Sequence, residues 1–416
     1  MSELLLGGVA ASALAAEFGT PLYVYDEPEL RARSRAYLTG LESYPAASRA
    51  VYACKANATV AVIAAVVGEG LGADVASAGE LAAALRAGAR PESVIVHGNN
   101  KSDADLSAAI EAGCGLVVVD HMGELDQVER LAAAAGRVQP VLVRVTPGIE
   151  ADTHEKIRTG HHGSKFGFAA PDALDALDGA GSLLHVQPAG LHVHLGSQIN
   201  QLGTYASAVD WLVAFIEEHG LGELPVLDLG GGLGIAHAPG DIELEIQPSL
   251  EAICAHLTDA LIGHGLPMPE LVVEPGRSIA GPAGTTLYRV GSIKRAADGT
   301  VYAAVDGGMS DNPRPALYGA RYTALVCDRP DELGRTTYTI AGKHCESGDV
   351  LIDRIELPEL HPGDLLAVPA TGAYNASMAS TYNQLPRPAA VMVSEGHGRL
   401  VQRRETIEDL LAREVR

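Results

Sequence analysis

Eight short apolar runs, each closed by a polar or glycine-rich end, punctuate residues 50–280: AVYACK, GADVAS, SVIVHG, LVVVD, VLVRVTPG, GLHVHLGS, VLDLGGGLG and LVVEPGRS. Ala- and Leu-rich stretches of helical period, such as AGELAAALRAGA and HMGELDQVERLAAAAG, separate them and are long enough for right-handed crossovers. Eight successive β-then-α units predict an α/β chain whose residues 30–280 form a (β/α)8 TIM-like barrel. After about residue 280 the pattern changes to alternating or β-branched runs with turn signals: TTLYRVGSIKR, TVYAAVDGG, TTYTIAGKHC, GDVLIDRIELP and GDLLAVPATGAY. These read as antiparallel strands. PLYVYDE near residue 22 resembles them, so residues 1–29 and 281–416 are expected to build one mainly antiparallel β-domain. The run LLLGGVAASALAA reads as a small-residue amphipathic helix, because it carries Glu3 and no preceding Lys or Arg that would mark a signal peptide.

Charge narrows the partners. With 30 Lys and Arg against 52 Asp and Glu the formal charge is −22, which repels a nucleic-acid backbone or an anionic membrane. No apolar stretch reaches the roughly 18 residues that a membrane span needs. The five cysteines are scattered and contain no CxxC pair, a pattern suited to a reducing compartment, and a cytoplasmic protein is expected.

Barrel active sites sit at the carboxyl ends of the strands. Lys55, Asp74, His97, Asn99, Asp120, Arg144, His194, Gly230 to Gly232, Glu274 and Arg277 all fall at or just beyond the end of a run. A lysine turned into a barrel mouth loses proton affinity and gains nucleophilicity toward carbonyls, although a solvated strand-end lysine is the commoner meaning of Lys55 taken alone. Gly230, Gly231 and Gly232 could turn backbone amides toward a phosphate or form a tight turn. Glu274 could hold a pyridine nitrogen protonated and Arg277 grip an anion, or the two could be a plain ion pair. His192 and His194 share one strand face by period two, but no HExxH or cysteine cluster supplies further ligands, so no metal is expected.

Taken together, YACKAN, HVHLGSQ, LDLGGGLG, EPGRS and CESGD resemble the decarboxylases of alanine-racemase fold that use pyridoxal 5′-phosphate, the group of ornithine and diaminopimelate decarboxylases, from about residue 20 to 395. VDGGMSDNPRPALYGA and AGKHCESGDVL are most similar to the diaminopimelate branch. The resemblance implies that Lys55 is the Schiff-base lysine with Asp74 near it, that His194 stacks on the cofactor ring and that Glu274 pairs with its nitrogen. It assigns the phosphate to Ser197, Gly230, Gly231, Gly232 and Tyr374, and counts Gly276 and Arg277 among the cofactor-binding residues. Substrate falls to Arg277, Arg314, Tyr318, Glu346 and Tyr374, with Cys345 as the proton donor reaching the other subunit's site. A homodimer with shared active sites follows from the same resemblance.

Losing carbon dioxide from an amino acid leaves a carbanion that needs an electron sink, which protonated pyridoxal provides. Holding the departing carboxylate perpendicular to the ring selects decarboxylation over racemisation, and a proton must then return to the α-carbon. Arg314 and Tyr318 suit a distal carboxylate and Glu346 a distal ammonium, and diaminopimelate carries both. The expected reaction is therefore decarboxylation of meso-2,6-diaminopimelate to L-lysine. The alternatives are a related decarboxylase of a D-amino acid or a carrier-protein-linked amino acid, a racemase, in which CESGD would have no role, and a non-catalytic cofactor carrier. The Gly-containing connection HHGSKFGF, residues 161–168, is expected to order near the pocket when substrate binds.

Overall fold

The computed structural model describes residues 3–148 and 165–415. The first part of the loop expected at 161–168, through residue 164, lies outside the described residues. The chain divides into two compact units. One is Arg31–Ile235 with Ile242–Ser278; the other combines the residues up to Leu30, Ala236–Asp241 and the residues from Ile279 on.

The first unit is a closed parallel barrel whose strands follow chain order: Ser48–Ala53, Gly72–Val75, Val94–Val96, Leu116–Val119, Gln139–Arg144, Val186–His192, Val226–Asp228 and Glu270–Val273. Each apolar run of the sequence supplies one strand. They read as continuous apolar runs because parallel strands are covered on both faces. Closure comes from the eighth strand pairing with the first, Leu271 to Ser48, Val272 to Arg49 and Val273 to Ala50. Val51, Ile95, Leu116, Val118, Leu142, Ala189, Val226 and Val272 form one buried cluster contributed by seven of the strands, so the barrel is packed solid. Ser102 and Asp105 close a reciprocal capping box at the helix Asp103–Ala112, fixing where the chain turns back from the third strand.

In the second unit the long strand Gly284–Arg295 is the spine. It pairs antiparallel with Leu22–Asp26, Leu365–Pro369 and Val301–Val305, with an irregularity between Val290 and Ile293 that lets its two halves serve different neighbours. The sheet continues through Thr336–Ala341 to Val350–Leu357 on one side and through Ala389–Ser394 to His397–Gln402 on the other. Two pairings are parallel, Val301–Val305 with Thr336–Ala341 and Leu22–Asp26 with Ala389–Ser394. The N-terminal run departs from its expected form: Leu5–Leu6 and Val9–Ala10 make a two-residue ladder and only Ala11–Phe18 is helical. Gly7 and Gly8, both left-handed, turn the chain between the two short strands and break the helical period that the small residues suggest.

Candidate active site

The first barrel strand leads into a single 3-10 turn, Cys54–Ala56, which carries Lys55 off the barrel wall with 43% of its side chain exposed. Its ammonium lies 3.4 Å from the buried carboxylate of Asp74 on the second strand. His97, just past the third strand, puts Nε2 3.7 Å from Asp74 Oδ1 and 2.5 Å from Glu274 Oε1. Glu274 Oε2 is 3.5 Å from His192 Nε2 at the end of the sixth strand, and the two imidazoles meet edge to face with centroids 5.0 Å apart. Asp228 ends the seventh strand, and one polar atom from each of His97, His192, Asp228 and Glu274 lies within 4.8 Å of the others. Backbone bonds tie these residues to the glycine loop: Gly230 N–H donates to Asp228 Oδ1 at 2.8 Å and Glu274 N–H to Gly230 O at 2.8 Å.

This cluster sorts its own charges. Burial and the neighbouring Glu274 push the Asp228 carboxyl well above the carboxylate range. Burial pushes Glu274 up as well, but the imidazoles of His97 and His192 outweigh it and hold Glu274 well below that range. Of the two acids Glu274 is therefore the anion. Burial lowers His192 to about 3, and burial, together with the Lys55 and Arg144 cations, holds His194 well below its ordinary value, so both rings are neutral at physiological pH.

The loop LGGGLG is built for close approach. Gly230 and Gly232 have φ of +67° and +120°, and a Cβ on Gly231 would lie 2.1 Å from the carbonyl of Glu274. Gly231 N–H donates to His194 Nδ1 at 3.3 Å, which fixes the partly buried ring beside the loop. Ser197 Oγ accepts from Arg277 Nε and Nη2 at 3.2 and 3.1 Å. Gly276 packs on the turn of Lys55, where a Cβ would come within 3.0 Å of Ala53 and Ala56. Around the rim, Asp120 accepts from Gly167 N–H at 3.0 Å and Arg144 lies 4.6 Å over the ring of Phe166. Lys101, buried, bonds the carbonyls of Gly98 and Val118 at 2.6 and 2.8 Å and pairs with Glu124 at 2.9 Å, which pins the turn that follows His97.

The second unit carries the other expected residues. Arg314 is buried at the start of the short helix Arg314–Tyr318, its Nη1 2.8 Å from His237 Nε2 and bonded to the Tyr322 hydroxyl. Tyr318 closes that helix and is partly exposed. Cys345 and Glu346 are exposed on the turn after Thr336–Ala341, with Cys345 N–H donating to Asn383 Oδ1 at 2.9 Å. The base of that turn is fixed: Asp349 accepts from the backbone of Met309 at 2.7 Å and of His344 at 2.9 Å, and lies 2.7 Å from His344 Nδ1. Tyr374 is left-handed, φ +61°, and partly buried after Leu365–Pro369.

Thus Lys55, Asp74, His194, Gly230, Gly231 and Glu274 come together in the barrel, with Ser197 on Arg277. Roles for His97, His192 and Asp228 were not assigned from sequence, although each stands in or beside a motif used for another residue. His237 and Tyr322, the partners of Arg314, had no signal at all.

The residues present fit pyridoxal phosphate. An accessible amine stands beside a buried acid, a buried carboxylate is the anion of its cluster, and a glycine cradle whose Cβ positions are blocked lies next to Ser197 and Arg277. A parallel barrel with such a mouth and an appended β-unit is the plan of the fold-type III pyridoxal-phosphate decarboxylases, and the family profile of the pyridoxal-dependent decarboxylase pyridoxal binding domain matches residues 29–281. Diaminopimelate decarboxylase of Actinosynnema pretiosum subsp. auranticum is 46% identical over 99% of this chain and 93% of its own, and that of Bacillus subtilis 44% identical over 98% and 94%. The diaminopimelate decarboxylase of M. jannaschii, solved with L-lysine, superposes with a TM-score of 0.92 at 32% identity, covering 99% of this chain and 96% of that one. The chain belongs to the diaminopimelate decarboxylase family.

Proposed function

We infer that the chain is a pyridoxal-phosphate-dependent carboxy-lyase that converts meso-2,6-diaminopimelate to L-lysine and carbon dioxide, a step of lysine biosynthesis. The observation that carries the mechanism is the line Lys55, Asp74, His97, Glu274, in which successive polar atoms are 3.4, 3.7 and 2.5 Å apart. Bound pyridoxal phosphate supplies an aldehyde carbon for an amine and a conjugated ring that takes up the electron pair left by departing carbon dioxide. Lys55 offers the amine, and Asp74 orients it. Glu274 would pair with the ring nitrogen, and His194 would stack on the ring. Ser197, Gly230, Gly231, Gly232 and Tyr374 would bind the phosphate dianion, with Gly276 and Arg277 completing the cofactor site.

Arg314 and Tyr318 bind the distal carboxylate of the substrate, Glu346 its distal ammonium, and Arg277 and Tyr374 complete the substrate shell. Cys345 returns the proton to the α-carbon. We place residues 30–280 as the cofactor-binding domain and 1–29 with 281–416 as the domain that contributes Cys345 to a homodimeric site. The exposed thiol supports that arrangement, since an acid for a water-excluded centre needs covering. Five free cysteines, four of them buried, support a cytoplasmic location. Among the described residues no helix is long and apolar enough to cross a membrane.

The test is an absorbance spectrum of the purified protein, then addition of meso-diaminopimelate with detection of carbon dioxide and lysine. A visible band and lysine release are expected. Turnover of lysine or ornithine but not diaminopimelate would move the chain to another substrate.

A further inference from the structure

Beside Glu274 stand three side chains that the proposed reaction does not use. We propose that His97, His192 and Asp228 are positioning residues that keep Glu274 the single anion of its cluster, so that the chain selects its cofactor by a protonated ring nitrogen. The proposal rests on the reading that Glu274 meets that nitrogen.

A buried carboxylate survives only with polar groups around it, and in this barrel the polar side chains beside it come from three different strand ends. His97 stands 2.5 Å from one oxygen and His192 3.5 Å from the other, while Asp228 shares the cluster. Asp228 is anchored by Gly230 N–H at 2.8 Å, which fixes Oδ1 as the acceptor and leaves Oδ2 to carry its proton. Burial and Glu274 push the Asp228 carboxyl up and burial holds the His192 ring neutral, so of the two acids Glu274 is the anion that a pyridinium would pair with and an uncharged ring would not. Asp74, Arg144 and Lys55 are the remaining charged neighbours, and Asp74 and Lys55 already offset each other at 3.4 Å. A cation held by the same four groups is the competing arrangement. Two ligands of one metal ion, each about 2.0–2.1 Å from it, stand roughly 3 Å apart. The 2.5 Å between His97 Nε2 and Glu274 Oε1 is shorter than that, a direct contact of the two side chains.

Full-length protein stripped of cofactor is titrated with pyridoxal 5′-phosphate and with its 1-deaza analogue, which has carbon in place of the ring nitrogen. The unsubstituted chain is expected to bind the former about tenfold or more tighter, the size of a charged hydrogen bond. His97→Phe, which fills similar space without a donor, brings that ratio toward one, and His97→Gln, which restores a donor, recovers it. A merely structural loss weakens both ligands alike and leaves the ratio unchanged. Asp228→Asn, isosteric with the protonated acid, keeps the ratio; its collapse there would overturn the proposal even if His97→Phe failed to fold. Equal binding by the unsubstituted chain would overturn the placing of Glu274 itself. A ratio that survives in His97→Phe, or stoichiometric divalent metal in the dialysed protein, overturns only the positioning roles of His97, His192 and Asp228.

Discussion

The cluster around Glu274 and the turn around Cys345 solve opposite problems. In the barrel every side chain of the cluster is buried and sits on or beside a strand end, with one polar atom of each within 4.8 Å of the others before any ligand arrives. In the β-unit the turn HCESGD is anchored at its base, where His344 and Asp349 are buried, while Cys345 and Glu346 are exposed. The end proposed to meet the cofactor ring thus rests on burial built into one chain. The residues proposed for proton return and substrate choice are presented on a turn, where a partner surface could complete them and where substrate choice could change without disturbing the barrel.

The contrast predicts which substitutions separate cofactor chemistry from substrate chemistry. Lys55→Ala has the largest effect: loss of the amine lowers kcat by about 10³-fold or more and removes the visible cofactor band, read by spectrum and lysine release. Cys345→Ala comes next. It lowers kcat by about 10²-fold, the share of a positioned acid, while the spectrum of the bound cofactor stays unchanged. A changed spectrum would show that the two regions are not separable. Asp349→Asn breaks the base of the turn, since one amide oxygen must replace a carboxylate that serves two backbone N–H groups and the His344 ring. It is expected to cost about 2 kcal/mol of stability by urea unfolding.

Legibility divided along physical lines. The barrel was readable because doubly covered parallel strands write themselves as uninterrupted apolar runs, and because Lys55, Asp74 and Glu274 stand where such runs end. The pairing partners were not, because they depend on distances through space: Asp228 precedes the glycine loop, and nothing local indicates that it carries a proton. His237 meets Arg314 across 77 positions. At the N-terminus local composition misled, since Ala-rich sequence promised helix where Gly7 and Gly8 make a turn.

Acid titration offers the finest test of the contrast, since each region buries a group that resists its normal charge. His192 is lowered by burial from 6.5 to about 3, so the folded barrel binds no proton there while the unfolded chain does. Its contribution to stability is complete above 6.5 and is lost as pH falls toward 3. Asp311 in the β-unit accepts from the Tyr288 hydroxyl and from Gly308 N–H, and burial raises it from 3.8 to about 7. There the folded state holds the proton, so its contribution is complete below 3.8 and is lost as pH rises toward 7. Between about pH 4 and 6.5 the two slopes have opposite signs and similar size, up to about 1.4 kcal/mol per pH unit each. Urea unfolding across that window should therefore show Asp311→Asn becoming more stable relative to the unsubstituted chain as pH rises. His192→Asn should do the reverse, gaining relative stability as pH falls. Parallel curves for a variant and the unsubstituted chain would mean that the substituted group titrates alike folded and unfolded, and would remove that half of the comparison.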